Sequence, residues 1–137
     1  LFRSDKSIDS FDLALRRRFK WIETSCDYDV IEKYFEDLFE DDEKKQLEKY
    51  VDQCKKLNKF ISEQGNNSLG LGSSYEFGHS FFLKIEITNG NITKSAKERL
   101  FDNFLKPTLK EYLRGFFEET EISAKLDDAR NKFVGND

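Results

Sequence analysis

Apolar residues recur at helical spacing through most of this chain. In residues 27–39, Tyr28, Ile31, Phe35 and Leu38 lie three or four positions apart and so share one face of a predicted helix. The clearest stripe falls in residues 42–63. There Leu47, Tyr50, Cys54, Leu57 and Ile61 mark one face, while Glu43, Lys44, Lys45, Glu48, Lys55 and Lys56 cover the wet side. Residues 95–105 read as a helix opened by the capping box Ser95-x-x-Glu98. Pro107 suits the first turn of a following helix that carries Leu109, Tyr112, Leu113 and Phe116. A last, weaker stripe of Ile122, Leu126, Ala129 and Phe133 predicts a helix that packs only once a neighbour is present.

Three stretches depart from that period. Glycines gather in residues 64–74, which read as a flexible joint between long helices. Residues 75–87 are dense in aromatic and branched side chains and lead into Thr88-Asn89-Gly90-Asn91, so a short hairpin competes there with a helix. At the front, Ser10 caps a predicted helix over residues 10–17, and Phe19-Lys20-Trp21-Ile22 alternates like a brief strand. The expected fold class is therefore mainly α, a helical bundle preceded by a short helix and strand.

Composition narrows the function classes. A chain of 137 residues is one domain's worth, and 23 Lys and Arg against 27 Asp and Glu leave a formal charge of −4, which argues against a generic nucleic-acid binder. Fourteen Phe point to a core that leans on aromatic rings. Met is absent and the chain opens on Leu1-Phe2, so it reads as a piece of something larger. No apolar run is long enough to span a bilayer and the front lacks a signal-peptide layout, so a cytoplasmic location away from membranes is expected.

Most candidate chemistry resolves to plain roles. Cys26 and Cys54 form no Cys-x-x-Cys pair, and Cys54 falls on an apolar stripe, so both are expected to be reduced and no metal site is expected. Glu36, Asp37, Glu40, Asp41, Asp42 and Glu43 lack the spacing of a calcium loop and read as a solvated helix junction. Gly70-Leu71-Gly72 lacks the lysine of a phosphate cradle. His79 is the only histidine, and a hydrogen-bonded structural role is its default. Arg16, Arg17 and Arg18 need more explanation. They either suit the negative end of a helix or project planar, permanently charged forks toward a phosphate.

The string Asp5-Lys6-Ser7, four residues, then Asp12-Leu13-Ala14-Leu15-Arg16-Arg17-Arg18-Phe19 resembles the segment of AAA+ motors that runs into the arginine-finger helix, in its McrB-like form. Phe77-Gly78-His79-Ser80-Phe81-Phe82 looks like that family's Ile-Gly-His-Ser-Tyr-Phe element, and Leu105-Lys106-Pro107-Thr108-Leu109-Lys110-Glu111-Tyr112 looks like its Ile-x-Pro-Leu-Leu-x-Glu-Tyr helix. The resemblance implies three parts: residues 1–23 as the end of an α/β core, 24–119 as a helical lid, and 120–137 as a C-terminal helix and tail. It implies trans arginine fingers at Arg17 and Arg18, with Arg16 less favoured, each neutralising charge on a neighbouring subunit's transferring phosphoryl group. Gly78, His79 and Ser80 become candidate nucleotide contacts from the lid. The implied cofactor is ATP or GTP with Mg in the intact parent, which would be a homo-oligomeric ring, usually a hexamer. A nuclease subunit and DNA reached through other parts of the parent are implied partners.

Lys6 stands where the family usually has Arg, and no phosphate-loop lysine motif or paired acids for Mg occur, so this chain alone is expected to be inactive. The competing reading is a non-enzymatic helical interaction module, an aromatic-rich surface that docks a partner helix or subunit with the Arg run as its rim. Direct nucleic-acid binding ranks last, because the net charge is negative and the Arg run is confined to one place.

Overall fold

A computed structural model describes residues 26–135. Helix α1, Tyr28–Phe35, is opened by Asp27, whose Oδ1 accepts a hydrogen bond from the Asp29 N–H at 3.1 Å. Ile31 and Phe35 are buried, but the chain then tightens into a 3₁₀ turn, Glu36–Leu38. The shorter period of that turn rotates the register. Phe39 enters the core, and Leu38, expected there from its spacing, is turned out.

Helix α2, Lys44–Ser62, is the central rod. Leu47, Tyr50, Cys54, Leu57 and Ile61 are buried as their spacing predicts, and so are Val51, Gln53, Asn58 and Phe60. The extra burial arises because other elements cover this helix on several sides. The glycine-bearing stretch that follows is not a loose joint. It folds back along the end of α2, where Leu69, Leu71 and Gly72 donate to the carbonyls of Phe60, Ile61 and Ser62 at 2.7, 2.9 and 3.2 Å. Carbonyls that a helix C-terminus leaves without a partner are thereby satisfied.

Residues 75–92 form neither the hairpin nor the long helix expected. A 3₁₀ turn, Ser73–Tyr75, leads to the single-turn helix α3, His79–Phe82, and then to a tight turn closed by an isolated bridge between Thr88 and Asn91. Asn89 and Gly90 both have positive φ, 53° and 73°, which is the backbone that an Asn-Gly pair favours.

Helix α4, Lys94–Leu100, is capped by Thr93, whose Oγ1 accepts from the Ala96 N–H at 3.0 Å, two residues before the expected Ser95. It runs through a π turn, Phe101–Leu105, directly into α5, Lys106–Arg114. Pro107 has no N–H to give the preceding turn, and the wider turn absorbs this by placing the Lys106 N–H on the Phe101 carbonyl. Two expected helices are therefore one rod with a local bulge. Phe116, expected on the buried stripe, lies beyond the end of α5 and is 42% exposed, edge-on to Tyr75.

The last helix, α6, Glu119–Val134, opens with a reciprocal capping box between Glu118 and Glu121 and finds its neighbours in α2 and α5. Arg130 grips Asp102 through two nitrogens at 3.0 and 3.2 Å and approaches Glu98 at 3.5 Å, clamping α6 to the α4 rod. Rings fill the centre. Phe133 stacks on Phe82 with centroids 5.9 Å apart and meets the edge of Tyr50 at 6.0 Å.

The described residues are mainly α-helical, and the expected α/β element is corrected. Among them there is no strand, only the Thr88–Asn91 bridge. The buried apolar stripes run at helical spacing and pack on other helices, so they present no alternating face on which a sheet could continue. The helix and strand read in residues 10–22, and the boundary at residue 23, lie outside the described residues.

Candidate functional site

The Phe77–Phe82 element is built around Asn58, a buried amide in the last third of α2. The Phe77 N–H donates to Asn58 Oδ1 at 2.7 Å, while Asn58 Nδ2 donates to the Phe77 carbonyl at 3.0 Å and to the Tyr28 hydroxyl at 2.9 Å. The far end of the element is held by Tyr50, whose hydroxyl donates to the Phe82 carbonyl at 2.6 Å. His79 Nδ1 accepts from the Asp27 N–H at 3.2 Å and so ties the element to the start of α1.

These anchors bear on the candidate nucleotide contacts. His79 is half-buried, with one ring nitrogen occupied by the Asp27 backbone, and Ser80 is exposed. Gly78 has an ordinary φ of −77°, with open space where a Cβ would stand. None of the three lines the hollows between α2, the 64–72 stretch and α6. Arg16, Arg17 and Arg18 lie outside the described residues. The structure therefore brings His79 to Asp27 and leaves Gly78, His79 and Ser80 outside those three hollows.

The two thiols sit beside this element and are chemically quiet. Burial pushes the Cys26 thiol up to about 12, with the Glu76 and Asp27 charges adding to the effect, and the Tyr28 side chain opposing it. Cys54 is raised well above the ordinary thiol range, again chiefly by burial. Neither has the depressed pKa that marks a nucleophile or redox thiol. Among the described residues, no group of three or more His, Cys, Asp or Glu side chains is placed to hold a metal. No described helix is long and apolar enough to cross a membrane.

What the fold leaves outside is more specific. Tyr34 and Leu38 are 64% and 55% exposed, although most large apolar side chains of the described region are buried. They stand four residues apart, Tyr34 in the last turn of α1 and Leu38 at the end of the 3₁₀ turn that follows, with exposed Glu36, Asp37 and Glu40 near them in the chain. The sequence reading put Leu38 in the core and passed over Tyr34. Its stripe assumed an unbroken α-helix, and only the 3₁₀ turn turns Leu38 out. The same reading missed Asn58, whose only signal was a polar residue between Leu57 and Phe60 in an apolar run.

Compared with protein-family models, curated proteins and solved structures, the chain matches none.

Proposed function

We propose that the described domain is a helical protein–protein interaction module that docks an amphipathic helix of a partner protein. The observation that carries this reading is the Tyr34–Leu38 ridge, the two most exposed of the large apolar side chains among the described residues. An exposed aromatic and an exposed aliphatic side chain four residues apart offer the kind of apolar anchor that an amphipathic helix accepts. Glu36, Asp37 and Glu40 border the ridge, so the partner helix carries basic residues beside its apolar stripe. A photo-crosslinking amino acid at Tyr34 should then trap one discrete protein species in cells. Leu38→Glu should abolish that band, and the same crosslinker at Lys45 should give none. A smear at Tyr34, or a band indifferent to Leu38→Glu, rejects the reading.

A second reading keeps the resemblance to McrB-like AAA+ hydrolases, with this domain as a lid. Its support is the His79–Asp27 contact, which ties the Gly78-His79-Ser80 element to a residue nine positions after Arg18 in sequence. In that case ATP or GTP with Mg, a ring of identical subunits, a nuclease partner and DNA belong to the intact parent. Reading the parent gene upstream of Leu1 for a phosphate-loop lysine motif tests this. Single-turnover hydrolysis by the parent should fall at least a hundredfold with Arg17→Ala or Arg18→Ala, on the scale of about 10³ to 10⁵ for an arginine finger.

A further inference from the structure

The C-terminal halves of α2 and α6 enclose a groove together with the stretch that folds back between them. Three hollows of about 260, 310 and 400 Å³ run into one another there: the first two share Phe60, Asn67 and Ser68, and Lys132 lines all three. Four lysines, Lys56, Lys59, Lys125 and Lys132, face two carboxylates, Glu63 and Asp128. On a chain of net charge −4 this is a local reversal of sign.

Lys59 and Lys132 lie in the last turns of their helices, where a cation offsets the negative helix end. That leaves Lys56, which stands earlier on α2. Lys125 is partly occupied over the Phe117 ring, 4.3 Å from its centroid. Among the described residues no ion pair engages Lys56, Lys59 or Lys132.

Amide side chains alternate with these charges. Asn66, Asn67 and Asn131 are exposed on the groove walls. A carboxamide presents N–H donors beside an acceptor oxygen, the complement of a peptide group. The fold itself uses that pairing, since Asn58 exchanges two hydrogen bonds with the Phe77 backbone. We propose that this groove binds a short, extended acidic peptide segment of a protein partner, with Lys56, Lys59 and Lys132 pairing its carboxylates and Asn67 and Asn131 pairing its backbone.

Nucleic acid fits less well. The only aromatic ring in the groove, Phe60, is 6% exposed and offers no face for a base to stack on. The groove has no Arg for bidentate phosphate contacts, and the negative chain around it repels a long polyanion. Lys56, Lys59 and Lys132 line one hollow and Lys125 the adjoining one, so the positive charge extends beyond what a single small anion fills.

The test is fluorescence anisotropy on the full 137-residue chain with a dye-labelled peptide of alternating Asp and Glu. Binding that weakens with added salt is expected. Lys56→Glu with Lys132→Glu should weaken it at least tenfold. Lys33→Glu with Lys45→Glu makes the same charge change elsewhere and should alter it less than about twofold. Lys56→Gln with Lys132→Gln should show the same ordering if charge reversal strains the helix ends. Asn67→Ala with Asn131→Ala leaves the charge alone and should still weaken binding about threefold or more. Equal losses from the two charge-reversal pairs, tighter binding of a single-stranded oligonucleotide of matched charge, or no peptide binding would each overturn the proposal. Tyr34 and Leu38 lie outside the groove, so such a failure leaves the reading of the α1 ridge standing or falling on its own crosslinking result.

Discussion

Asn58 and Phe77 exchange a reciprocal pair of hydrogen bonds, 2.7 and 3.0 Å long, so that one side-chain amide does the work of a neighbouring strand for a single buried peptide. Everything from Gly78 to Phe82 is aimed by that pair, with Tyr50 fixing the other end.

Truncating Asn58 should therefore cost far more than its size implies. Asn58→Ala leaves the Phe77 N–H and C=O buried without their partner, a penalty of about 2–3 kcal/mol in urea unfolding. Tyr28→Phe removes the bond from Asn58 at the edge of the network together with the Cys26 contact, and about 1 kcal/mol is expected. A smaller loss for Asn58→Ala than for Tyr28→Phe would show that the network is not the anchor described.

Two glycines should respond unequally to alanine. Gly90 has φ +73°, and a Cβ there would stand 3.3 Å from the Leu38 carbonyl oxygen and 2.9 Å from Glu43 Oε2. Gly90→Ala should destabilise by about 1–2 kcal/mol. Gly78 has an ordinary φ and open space around it, so Gly78→Ala should change thermal stability by less than about 0.5 kcal/mol in either direction. If the lid reading holds and a nucleotide approaches this backbone, that near-silent variant should nevertheless impair the parent's nucleotide binding.

Lys97 makes stability depend on pH. Its ammonium is buried and donates to Gln53 Oε1 at 2.8 Å, and Gln53 Nε2 in turn donates to the Val134 carbonyl at 3.2 Å. Burial first, and then the Lys49 and Lys94 charges, lower its pKa below the ordinary lysine value. The unfolded chain thus binds more protons than the folded one between the two values, and stability contributed by this group rises with pH across that window. Below the folded value the penalty is present in full. The stability of the unaltered protein relative to Lys97→Met should therefore increase as urea titrations move from neutral pH toward the ordinary lysine pKa, and a flat difference would count against a charged, buried Lys97.

The thiols should resist alkylation. With Cys26 pushed up to about 12 from 9.0, its thiolate fraction at mildly alkaline pH is about a thousandfold lower than that of an unperturbed thiol. Iodoacetamide labelling followed by mass spectrometry should modify Cys26 and Cys54 at least a hundredfold more slowly in the native than in the urea-unfolded chain. Rapid native labelling of Cys26 would indicate that the start of α1 opens readily.

Tyr34→Ala combined with Leu38→Ala should lower unfolding free energy by no more than about 1 kcal/mol, because both side chains are mostly exposed and Tyr34 meets the core only edge-on to Phe35, centroids 4.9 Å apart. A large stability loss would place the ridge in the fold and not on an interaction surface.

The sequence by itself determined where apolar stripes lie, and hence which faces of α2, α5 and α6 are buried. Periodicity is a local property that any neighbour must respect. Leu47, Tyr50, Leu57, Leu109, Leu113, Ile122 and Phe133 are buried where their spacing puts them. The Asn89-Gly90 turn was legible for the same reason, since left-handed backbone is written into residue type. Other features were decided only by tertiary structure. Asn58, Gln53 and Lys97 are polar by every local measure, and they are interior because helices and loops from distant parts of the chain close over them and supply partners. Leu38 lost its core place to Phe39 through a change of helical period that no stripe announces. The basic groove likewise exists only because α2 and α6, some seventy residues apart in sequence, run side by side. Charge and burial at such places are properties of what folds against a residue, and a linear pattern carries only the residue's own preference.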